Sequence, residues 1–438
     1  MLKKMVLSLL TAFALCAAVA SFSQAQTPPQ VPKLVNANAN VKQIYTIQNP
    51  GVISWVHIGD LHITTGDEQN YADFQTLIKQ TNQYLAQGIN FAVLPGDNAN
   101  EGSEPEYQLI KQATDQLQVP LLAIPGDHDV ESGSLDLYTK YMSPVPYQSF
   151  TADRYHLIFL NALDARDDTR IGFGLSQEQL AWLTNELDAA THSKLQSVLF
   201  MHPFPSDELG DSAQAVLDLI QKNRVLLVEV GHTHFNAVSN DGQTIYAATR
   251  STGQIKEGPV GFSITNLDNG VVSWKFKPLG GWPFVMITLP ADKRFITDAS
   301  NPHQVVRGEI DLRAKIWDDQ TITSAMYQVD NSTPQPLTRI GTSNMWSAKW
   351  DSAKVSCGDH QLTVTVQGKD GKTSQDRIIV TVNQTGSYLP TQRKPGSDNN
   401  SIGIDTDRGL LGTTQQPPPH PGGGPGGGKG KPDKPKSP

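Results

Sequence analysis

The sequence predicts an α/β domain followed by an all-β domain, and three observations carry this prediction. Short, almost continuous apolar runs recur between residues 52 and 230, as expected of strands that are buried on both faces. Amphipathic stretches that suit helices separate several of these runs. After about residue 283 the chain changes to short alternating strands with turn signals and no convincing helix, which is typical of a small β-sandwich.

The predicted elements of the first domain alternate along the chain. Apolar runs predict strands at residues 52–58, 91–94, 121–124, 157–160, 197–201 and 225–230. Helices are expected at about residues 71–85, 105–117 and 177–187, and Ser176 and Gln179 have capping-box spacing at the start of the third. Further strands are expected at residues 244–248, 260–267 and 271–276, with a hairpin turn at residues 268–270.

The domain organisation follows from these patterns and from the composition. Strands of the second domain are predicted at residues 309–316, 324–329, 346–350, 361–367 and 377–382. The end of the chain is poor in apolar residues and rich in Pro, Gly and Lys, which predicts disorder. The predicted parts are a signal peptide (1–25), a linker (26–48), the α/β domain (49–282), the β-sandwich (283–384) and a disordered tail (385–438).

The N-terminus has the layout of a secretory signal peptide. Lys3 and Lys4 precede an almost unbroken apolar run over residues 5–20, and Ser23 and Ala25 offer small residues where a signal peptidase reads. We therefore expect a secreted or periplasmic protein without a transmembrane anchor after signal removal. Cys357 is then the single cysteine, so no internal disulfide is expected, and its surroundings predict a half-buried strand residue.

The charge balance limits the classes of partner. The formal net charge is −8 at pH 7, so the chain has no general positive field with which to attract nucleic acid. We therefore expect no specific nucleic-acid recognition. The sequence makes no prediction about the oligomeric state.

Asp and His residues follow five of the predicted strands. The five segments are Gly-Asp-Leu-His (59–62), Gly-Asp-Asn (96–98), Gly-Asp-His-Asp (126–129), Met-His-Pro (201–203) and Gly-His-Thr-His (231–234). Each segment should emerge at the carboxyl edge of the sheet, where open α/β sheets bind ligands. The glycines let the backbone turn tightly as it leaves the strand. One Gly-Asp alone is usually a turn or a helix cap, but five such strand ends together indicate a site.

The chemistry of these side chains indicates metals. Imidazole and carboxylate ligands together suit Zn, Mn, Fe or Co, and the lack of thiolates in the set argues against a closed structural zinc site. Two cations about 3.5–4 Å apart can bind both the oxyanion of a phosphoester and the attacking hydroxide.

With these five segments the sequence resembles the calcineurin-like metallophosphoesterases. The family pattern of Asp-x-His, Gly-Asp, Gly-Asn-His-(Asp/Glu), a lone His and Gly-His-x-His is matched in order between about residues 53 and 276. Residues 163–187 and 251–253 are most similar to the class III cyclic-nucleotide-phosphodiesterase-like branch. The resemblance implies a β-sandwich core flanked by helices, with an Ig-like or fibronectin-III-like sandwich after it. It also implies a dinuclear-metal hydrolase that cleaves phosphomonoesters or phosphodiesters by in-line attack of a metal-bound hydroxide.

The resemblance further implies a role for each site residue. The metal ligands would be Asp60, His62, Asp97, Asp127, His202, His232 and His234. Asp60, His62 and His234 would bind the first metal, His202 and His232 the second, and Asp97 would bridge two divalent or mixed-valence ions of Fe, Mn, Zn or Co. His128 would contact the substrate and protonate the leaving group, and Asp129 would orient His128. Apart from the resemblance, Arg250 follows the predicted strand at residues 244–248 and could either contact the phosphate or form a surface ion pair.

The sequence departs from the family pattern at Asp127, where a metal-binding Asn is usual. A carboxylate is a competent ligand, but it adds one negative charge to the site. We therefore expect tighter binding of hard or trivalent metals and weaker Lewis acidity. The usual Arg after the second segment is also absent, since Asn-Ala-Asn-Glu occupies residues 98–101.

Two other functions remain open from the sequence. The same metals could act on a carbon-centred substrate such as an amide or a lactone. Alternatively, the domain could be a non-catalytic binding module with the β-sandwich as its working part, although the complete ligand set argues against this. The leading hypothesis is hydrolysis of a small phosphoester outside the cytoplasm.

Overall fold

The computed structural model describes residues 51–167, 170–206 and 208–388, without the side chains of residues 165–167, 170 and 171. The predicted signal peptide (1–25) and linker (26–48) lie outside the described residues, as does the predicted tail apart from residues 385–388. Within the described ranges, no helix is both long enough and apolar enough to cross a membrane.

The elements of the first domain alternate as predicted, and the expected strands and helices are present with shifted ends. Strands β1 to β13 are Val52–His57, Phe91–Leu94, Leu121–Ala123, Gln148–Ala152, Tyr155–Phe159, Leu163–Asp167, Arg170–Phe173, Gln196–Phe200, Leu227–Val230, Ala237–Asn240, Ile245–Ala248, Gly261–Asp268 and Val271–Pro278. Helices α1 to α5 are Gln69–Gln80, Glu104–Thr114, Asp136–Tyr141, Gln177–His192 and Ala213–Lys222, and a π-helical segment, Thr81–Leu85, extends α1.

Eleven of these strands form two mixed sheets that pack face to face, while β6 and β7 form a separate two-stranded sheet. The strand orders are β13-β12-β1-β2-β3 and β10-β11-β9-β8-β5-β4, with β1, β2 and β3 parallel in the first sheet and β5, β8, β9 and β11 parallel in the second. Side chains of both sheets share one core, in which the Trp55 and Phe200 rings lie 5.4 Å apart. The helices cover the outer faces, with α1 and α2 on the first sheet and α4 and α5 on the second. The α/β sandwich flanked by helices is therefore confirmed.

Capping interactions fix the starts of two helices. Ser176 accepts a hydrogen bond from Gln179 N at the start of α4, but the Gln179 side chain bonds to the Asn161 backbone instead of completing a capping box. A complete capping box, formed by Ser103 and Glu106, begins α2. The predicted box at α4 is thus only half formed, because Gln179 ties the helix to the chain that follows β5.

The second domain is an all-β sandwich, as predicted. Strands β14 to β22 are Phe284–Leu289, Val305–Val306, Glu309–Trp317, Ile322–Val329, Gln335–Pro336, Thr338–Arg339, Met345–Asp351, Gly358–Gly368 and Thr373–Val382. They form sheets in the orders β14-β16-β20-β19 and β15-β22-β21-β17-β18, and an apolar core lies between them. Cys357 is exposed just before β21, so the expectation of a half-buried strand residue was wrong.

Buried polar contacts attach the β-sandwich to the first domain. Lys315 in β16 is fully buried, and its Nζ donates to Ser54 Oγ at 2.6 Å and to Gly88 O at 2.7 Å. Arg313 on the same strand donates to Asp268 Oδ1 at 3.1 Å, at the end of β12. Burial lowers the pKa of Lys315 to about 7 and raises the pKa of Asp268 to about 6. The charge of this junction therefore changes within the neutral pH range.

The stability that Lys315 contributes is expected to rise with pH. Unfolded Lys315 keeps its proton up to a pKa near 10.5, whereas desolvation lowers the folded-state pKa to about 7. Between these values the unfolded state binds more protons, so the free energy of unfolding should increase by up to about 1.4 kcal/mol per pH unit. Urea denaturation between pH 6 and 9 should show wild type gaining stability relative to Lys315→Met above pH 7. A difference that does not change with pH would contradict a buried, titrating amine.

Candidate metal centre

Two groups of Asp and His side chains meet at one end of the sandwich. The five segments singled out in the sequence follow β1, β2 and β3 of the first sheet and β8 and β9 of the second, so the side chains converge from both sheets and not from a single sheet edge. Within each group the potential ligand atoms lie within 4.8 Å of one another. The first group is Asp60, His62, Asp97 and His234; the second is Asp97, Asp127, His202 and His232.

Asp97 belongs to both groups. Its Oδ2 lies 3.5 Å from His62 Nε2 and 3.3 Å from His202 Nε2. In the first group His234 Nε2 lies 3.0 Å from His62 Nε2 and 3.6 Å from Asp60 Oδ2. One carboxylate oxygen thus faces both groups, which is the placement that a bridging ligand needs.

In the second group Asp127 lies between two imidazoles. Its Oδ1 is 3.4 Å from His202 Nε2 and 3.5 Å from His232 Nδ1. These distances are longer than a usual hydrogen bond, but they are the distances expected between two ligand atoms that bind the same cation. All seven predicted ligands are therefore brought together.

The donor atoms of this centre fit metal binding. Several are buried without a hydrogen-bond partner among the described residues, namely both carboxylate oxygens of Asp60, Asp127 Oδ1, His202 Nε2 and His232 Nδ1. Buried polar atoms are normally satisfied, because leaving them unpaired costs free energy. Anionic oxygens and imidazole nitrogens that point at one another are satisfied when a cation lies between them.

Glycines make room for the ligands. Gly96 has a φ of 115°, as expected for a tight turn. A Cβ on Gly126 would lie 2.2 Å from Asp97 Oδ1, and a Cβ on Gly231 would lie 2.4 Å from Asp60 Oδ1. The predicted tight turn is therefore present at Gly96. At Gly126 and Gly231 a side chain would collide with a ligand carboxylate that packs against the backbone, so glycine is required there.

Four of the ligands have left-handed backbone conformations. The φ angles are 44° at His62, 50° at Asp97, 64° at His232 and 62° at His234. For residues other than glycine this region is sparsely populated and costs about 1–3 kcal/mol each. Such strain persists where the surrounding structure dictates it, as it does at binding sites.

Backbone carbonyls orient two of the imidazoles. His202 Nδ1 lies 2.9 Å from Pro95 O, and His234 Nδ1 lies 3.1 Å from Gln254 O. A carbonyl can only accept, so Nδ1 carries a proton and Nε2 is the nitrogen that faces the ligand group. His232 has the opposite orientation, with Nδ1 toward Asp127 and Nε2 3.5 Å from Glu208 Oε1.

The histidines differ in protonation. Burial lowers the pKa of His62 to about 4, which keeps this imidazole neutral at physiological pH. Burial also lowers the pKa of His202, but the Asp97 and Asp127 carboxylates more than offset this, and the net shift is upward. Because only neutral imidazole binds a metal, a cation entering the second group must displace a proton.

His128 lies beside the first group. Its ring is 4.6 Å from the His62 ring, and its Nδ1 is 2.7 Å from Asn100 O and 3.3 Å from Glu131 Oε1. Burial lowers the pKa of His128, but the hydrogen bond to Asn100 O and the nearby carboxylates shift it upward overall. A protonated imidazole is thus favoured at the edge of the centre.

Asp129 has a different position from the one expected from the sequence. Its carboxylate is fully buried and accepts hydrogen bonds from Ala99 N, Gly126 N and Tyr107 Oη, each at 3.0 Å. Asn100 O and Glu131, and not Asp129, contact the His128 imidazole. The Asp129 side chain points into the protein and bonds to the loop that carries Asp97 and to the loop that carries Asp127. It therefore holds these two loops together.

Arg250 is also committed to structural contacts. Its side chain is buried, with the guanidinium 4.1 Å above the Phe276 ring and hydrogen bonds to Glu257 O and Pro259 O, both 3.3 Å long. The Glu257 carboxylate lies 3.7 Å from its Nε. This geometry lends no support to the phosphate contact predicted from the sequence.

Three residues near the centre were missed by sequence reasoning. The Gln254 side-chain nitrogen lies 3.1 Å from His62 Nδ1, while its backbone oxygen orients His234. Asn100 contacts His128 through its backbone oxygen and Gln254 through its side chain. Glu208 approaches His232 from the loop after β8. None of the three belongs to a spacing pattern, so the sequence carried no signal for them.

The two groups of Asp and His side chains could each hold a metal ion, as in a metal-dependent phosphoester hydrolase, and comparison with known proteins supports this class. Residues 54–236 match the family model of the calcineurin-like phosphoesterases, and residues 283–364 match that of a bacterial Ig domain. The chain therefore carries a calcineurin-like phosphoesterase domain followed by a bacterial Ig domain. Calcineurin-like phosphoesterases use a dinuclear metal site, and the Asp and His groups described above could hold one.

Relatives of the first domain carry phosphodiesterase names. A probable cyclic nucleotide phosphodiesterase of Xenorhabdus bovienii is 25% identical over 199 residues, which cover 41% of this chain and 77% of the relative. A glycerophosphodiester phosphodiesterase of Enterobacter lignolyticus is 27% identical over 216 residues, covering 45% of this chain and 76% of the relative. Among solved structures, a dimetal phosphatase of Danio rerio is similar with a TM-score of 0.45 and 13% identity, over 52% of this chain and 96% of that chain.

Proposed function

We propose that the protein is an exported, dinuclear-metal hydrolase of small phosphoesters, with phosphodiesters as its main substrates. The observation that carries this proposal is the pair of ligand groups that share Asp97. The names of the relatives favour diesters over monoesters. Export is supported by the signal-peptide pattern at residues 1–25.

Each group would hold one cation. Asp60, His62 and His234 would bind the first, Asp127, His202 and His232 the second, and Asp97 both. When bound, the two cations supply Lewis acidity to the phosphoryl oxygens and lower the pKa of a water so that it becomes nucleophilic at neutral pH. The role of the chain is to fix the ligand geometry through strained backbone and carbonyl-oriented imidazoles.

His128 would serve as the general acid. The Asn100 carbonyl accepts from Nδ1–H at 2.7 Å, so the second ring nitrogen, Nε2, is the atom that can deliver a proton to the departing alkoxide. The His128 backbone N–H donates to Asp97 Oδ1 at 3.0 Å, which fixes its position relative to the ligands. Asp129 acts as a positioning residue, since it holds the loops on both sides through backbone hydrogen bonds.

Substrate assays combined with elemental analysis test this proposal. Purified full-length protein should contain two transition-metal ions per chain and hydrolyse chromogenic and natural phosphodiesters. Protein that holds two metals but cleaves only amides or lactones would contradict the substrate class. Failure to bind metal under any loading condition would overturn the enzyme assignment and favour a binding module.

Glu208 is expected to tune the second metal through His232. Its carboxylate lies 3.5 Å from His232 Nε2, on the far side of the ring from Asp127, as in carboxylate–histidine–metal triads. Glu208→Gln should weaken binding of the second metal about 10- to 100-fold and leave the first bound, as measured by chelator competition. Glu178→Gln, which alters an exposed carboxylate on α4, should bind both metals as wild type does. Equal affinities in the two variants would exclude this role.

Asp127 is expected to set the metal preference. As an anion between His202 and His232, it should favour hard or trivalent ions and reduce Lewis acidity. Asp127→Asn should therefore lose trivalent iron relative to divalent zinc. The acid limb of its kcat–pH profile should move to lower pH, because a more acidic metal lowers the pKa of water further. Unchanged metal content together with an unchanged profile would contradict this expectation.

A further inference from the structure

A buried carboxylate links the two sheets of the first domain. Glu229 lies on β9 of the second sheet, and its Oε2 is 2.7 Å from His57 Nδ1 and accepts a hydrogen bond from Trp55 Nε1 at 2.8 Å. Its Oε1 accepts a hydrogen bond from Thr265 Oγ1. The three partners belong to β1 and β12 of the first sheet, and all four residues are at most 1% exposed. One side chain of the second sheet thus contacts three polar groups of the first.

This link lies beneath the metal centre. Side chains alternate along a strand, and Leu227 packs in the core that the two sheets share, so Glu229 faces the same core. The next position in this alternation is Gly231, about 6.6 Å further along the chain. A Cβ on Gly231 would lie 2.4 Å from Asp60 Oδ1. The Asp60 carboxylate therefore lies in the layer next to Glu229.

The two strands that Glu229 joins carry the first ligand group. His57 is the last residue of β1, which is followed by Asp60 and His62, whereas His234 follows β9. Hydrogen bonds depend on direction as well as on distance, whereas hydrophobic contacts have no preferred direction. A buried polar network whose groups are paired therefore favours one arrangement of the elements that it joins. The Glu229 network is thus placed to fix the spacing between these two strand ends.

Stability alone does not account for this carboxylate. Moving a carboxylate out of water costs free energy, and apolar residues of similar volume often replace buried polar pairs without loss of stability. The core around Glu229 is otherwise built from apolar side chains such as Leu227 and Phe200. The position of Glu229 at the end of this core nearest the ligands points to a role in the metal centre.

We propose that Glu229 and His57 are positioning residues for the first metal. They hold the strand end with Asp60 and His62 at the spacing from His234 that the cation requires. This inference rests on the proposed function, because it needs a cation in the first group. Glu229 and His57 act through the ligands in this assignment and touch neither the cation nor the substrate. Residues that orient metal ligands in this way typically change metal affinity about 10- to 100-fold when they are substituted.

Binding of Co²⁺ to chelator-treated, full-length protein measures this role without an activity assay. The visible spectrum of Co²⁺ depends on its ligands, and reference spectra of His234→Ala and His202→Ala assign the bands to the first and the second group. Glu229→Gln keeps the size of the side chain but removes its charge. It should weaken Co²⁺ binding about 10- to 100-fold at the first group and alter the spectrum of that group. Binding at the second group should change little.

Asp241→Asn is the matched control. Asp241 is also a buried carboxylate, and it accepts hydrogen bonds from Thr244 N at 2.7 Å and from Gln243 N at 2.8 Å. It precedes β11, which is parallel to β9, so it lies at the end of the second sheet opposite the metal centre. The same change from carboxylate to amide should leave both affinities and the Co²⁺ spectrum as in wild type.

Two variants of His57 test the other half of the pair. His57→Asn keeps a donor near the place of Nδ1 and should bind Co²⁺ within about threefold of wild type. His57→Leu removes the donor and should weaken binding at the first group about tenfold. These two variants decide the question if Glu229→Gln does not fold.

The outcomes separate this inference from the proposed function. Wild-type affinity in Glu229→Gln and His57→Leu, or an equal loss at both groups, would overturn the positioning role, because general destabilisation lowers both affinities alike. Wild-type protein that holds two ions and cleaves no phosphoester would overturn the proposed function and leave the positioning role intact. Wild-type protein that binds no Co²⁺ would overturn both.

Discussion

Asp97→Ala should lower kcat/KM by roughly 10⁴-fold or more and release both cations. Asp97 Oδ2 lies 3.5 Å from His62 Nε2 and 3.3 Å from His202 Nε2, so its loss removes a ligand from each group at once. Metal assistance supplies several kcal/mol of transition-state stabilisation, and each 1.36 kcal/mol corresponds to a factor of ten in rate. Metal content by mass spectrometry and steady-state kinetics on a chromogenic diester measure the two effects.

Asp188→Asn serves as the control for this variant, because Asp188 is an α4 carboxylate paired with Lys222 on the surface. It should keep both metals and wild-type activity. Circular dichroism should show that Asp97→Ala retains its secondary structure, so that the loss is attributed to the site. Retention of two metals and of activity in Asp97→Ala would disprove the bridging role.

His128→Gln should reduce kcat about 10²- to 10⁴-fold for diesters with alkoxide leaving groups and leave the metals bound. An alkoxide requires a proton as it departs. Burial lowers the pKa of His128, but the hydrogen bond to Asn100 O together with the nearby carboxylates raises it overall, which favours the protonated form. The reduction should be much smaller for p-nitrophenyl esters, because p-nitrophenolate leaves without protonation. Parallel kinetics on both ester types make the comparison.

Glu131→Gln provides the matched comparison for His128. Glu131 Oε1 lies 3.3 Å from His128 Nδ1, and the Glu131 side chain is about half exposed. Glu131→Gln therefore removes only one of the charges that raise the pKa of His128. It should shift the basic limb of the pH–rate profile to lower pH without the loss seen in His128→Gln. An equal loss for alkyl and p-nitrophenyl esters in His128→Gln would show that His128 does not act as the acid.

The ligand positions could be predicted from the sequence because each follows a buried apolar run. Parallel strands such as β1 and β2 place their carboxyl ends together, so Asp60 and Asp97 had to meet. The sequence did not reveal that β8 and β9 lie in a second sheet, since a buried strand has the same apolar pattern in either sheet. The apolar pattern alone therefore did not predict that His202 and His234 converge with Asp60, which was expected only from the family resemblance.

Contacts around the ligands were harder to predict than the ligands themselves. Glu208 and Gln254 reach their histidines from loops, and loop paths depend on tertiary packing. The role of Asp129 in orienting His128 was inferred from the family resemblance, but in this chain the Asp129 side chain points away from the His128 imidazole. The strand β10 and the helix α5 were also not predicted, although Val216, Leu217 and Ile220 form a buried face on α5.

The convergence of ligands from both sheets has a further consequence for the lifetime of the molecule. His62 and His234 come from different sheets and are 172 residues apart in the chain, yet their Nε2 atoms lie 3.0 Å from each other. A cation bound between these histidines would cross-link distant parts of the fold, as a disulfide does in many exported proteins. The cysteine among the described residues, Cys357, forms no disulfide. Loss of that cation would abolish the activity and would also make one end of the sandwich more accessible to proteases. Scarcity of metal in the surroundings would then control how long each copy survives as well as how fast it works.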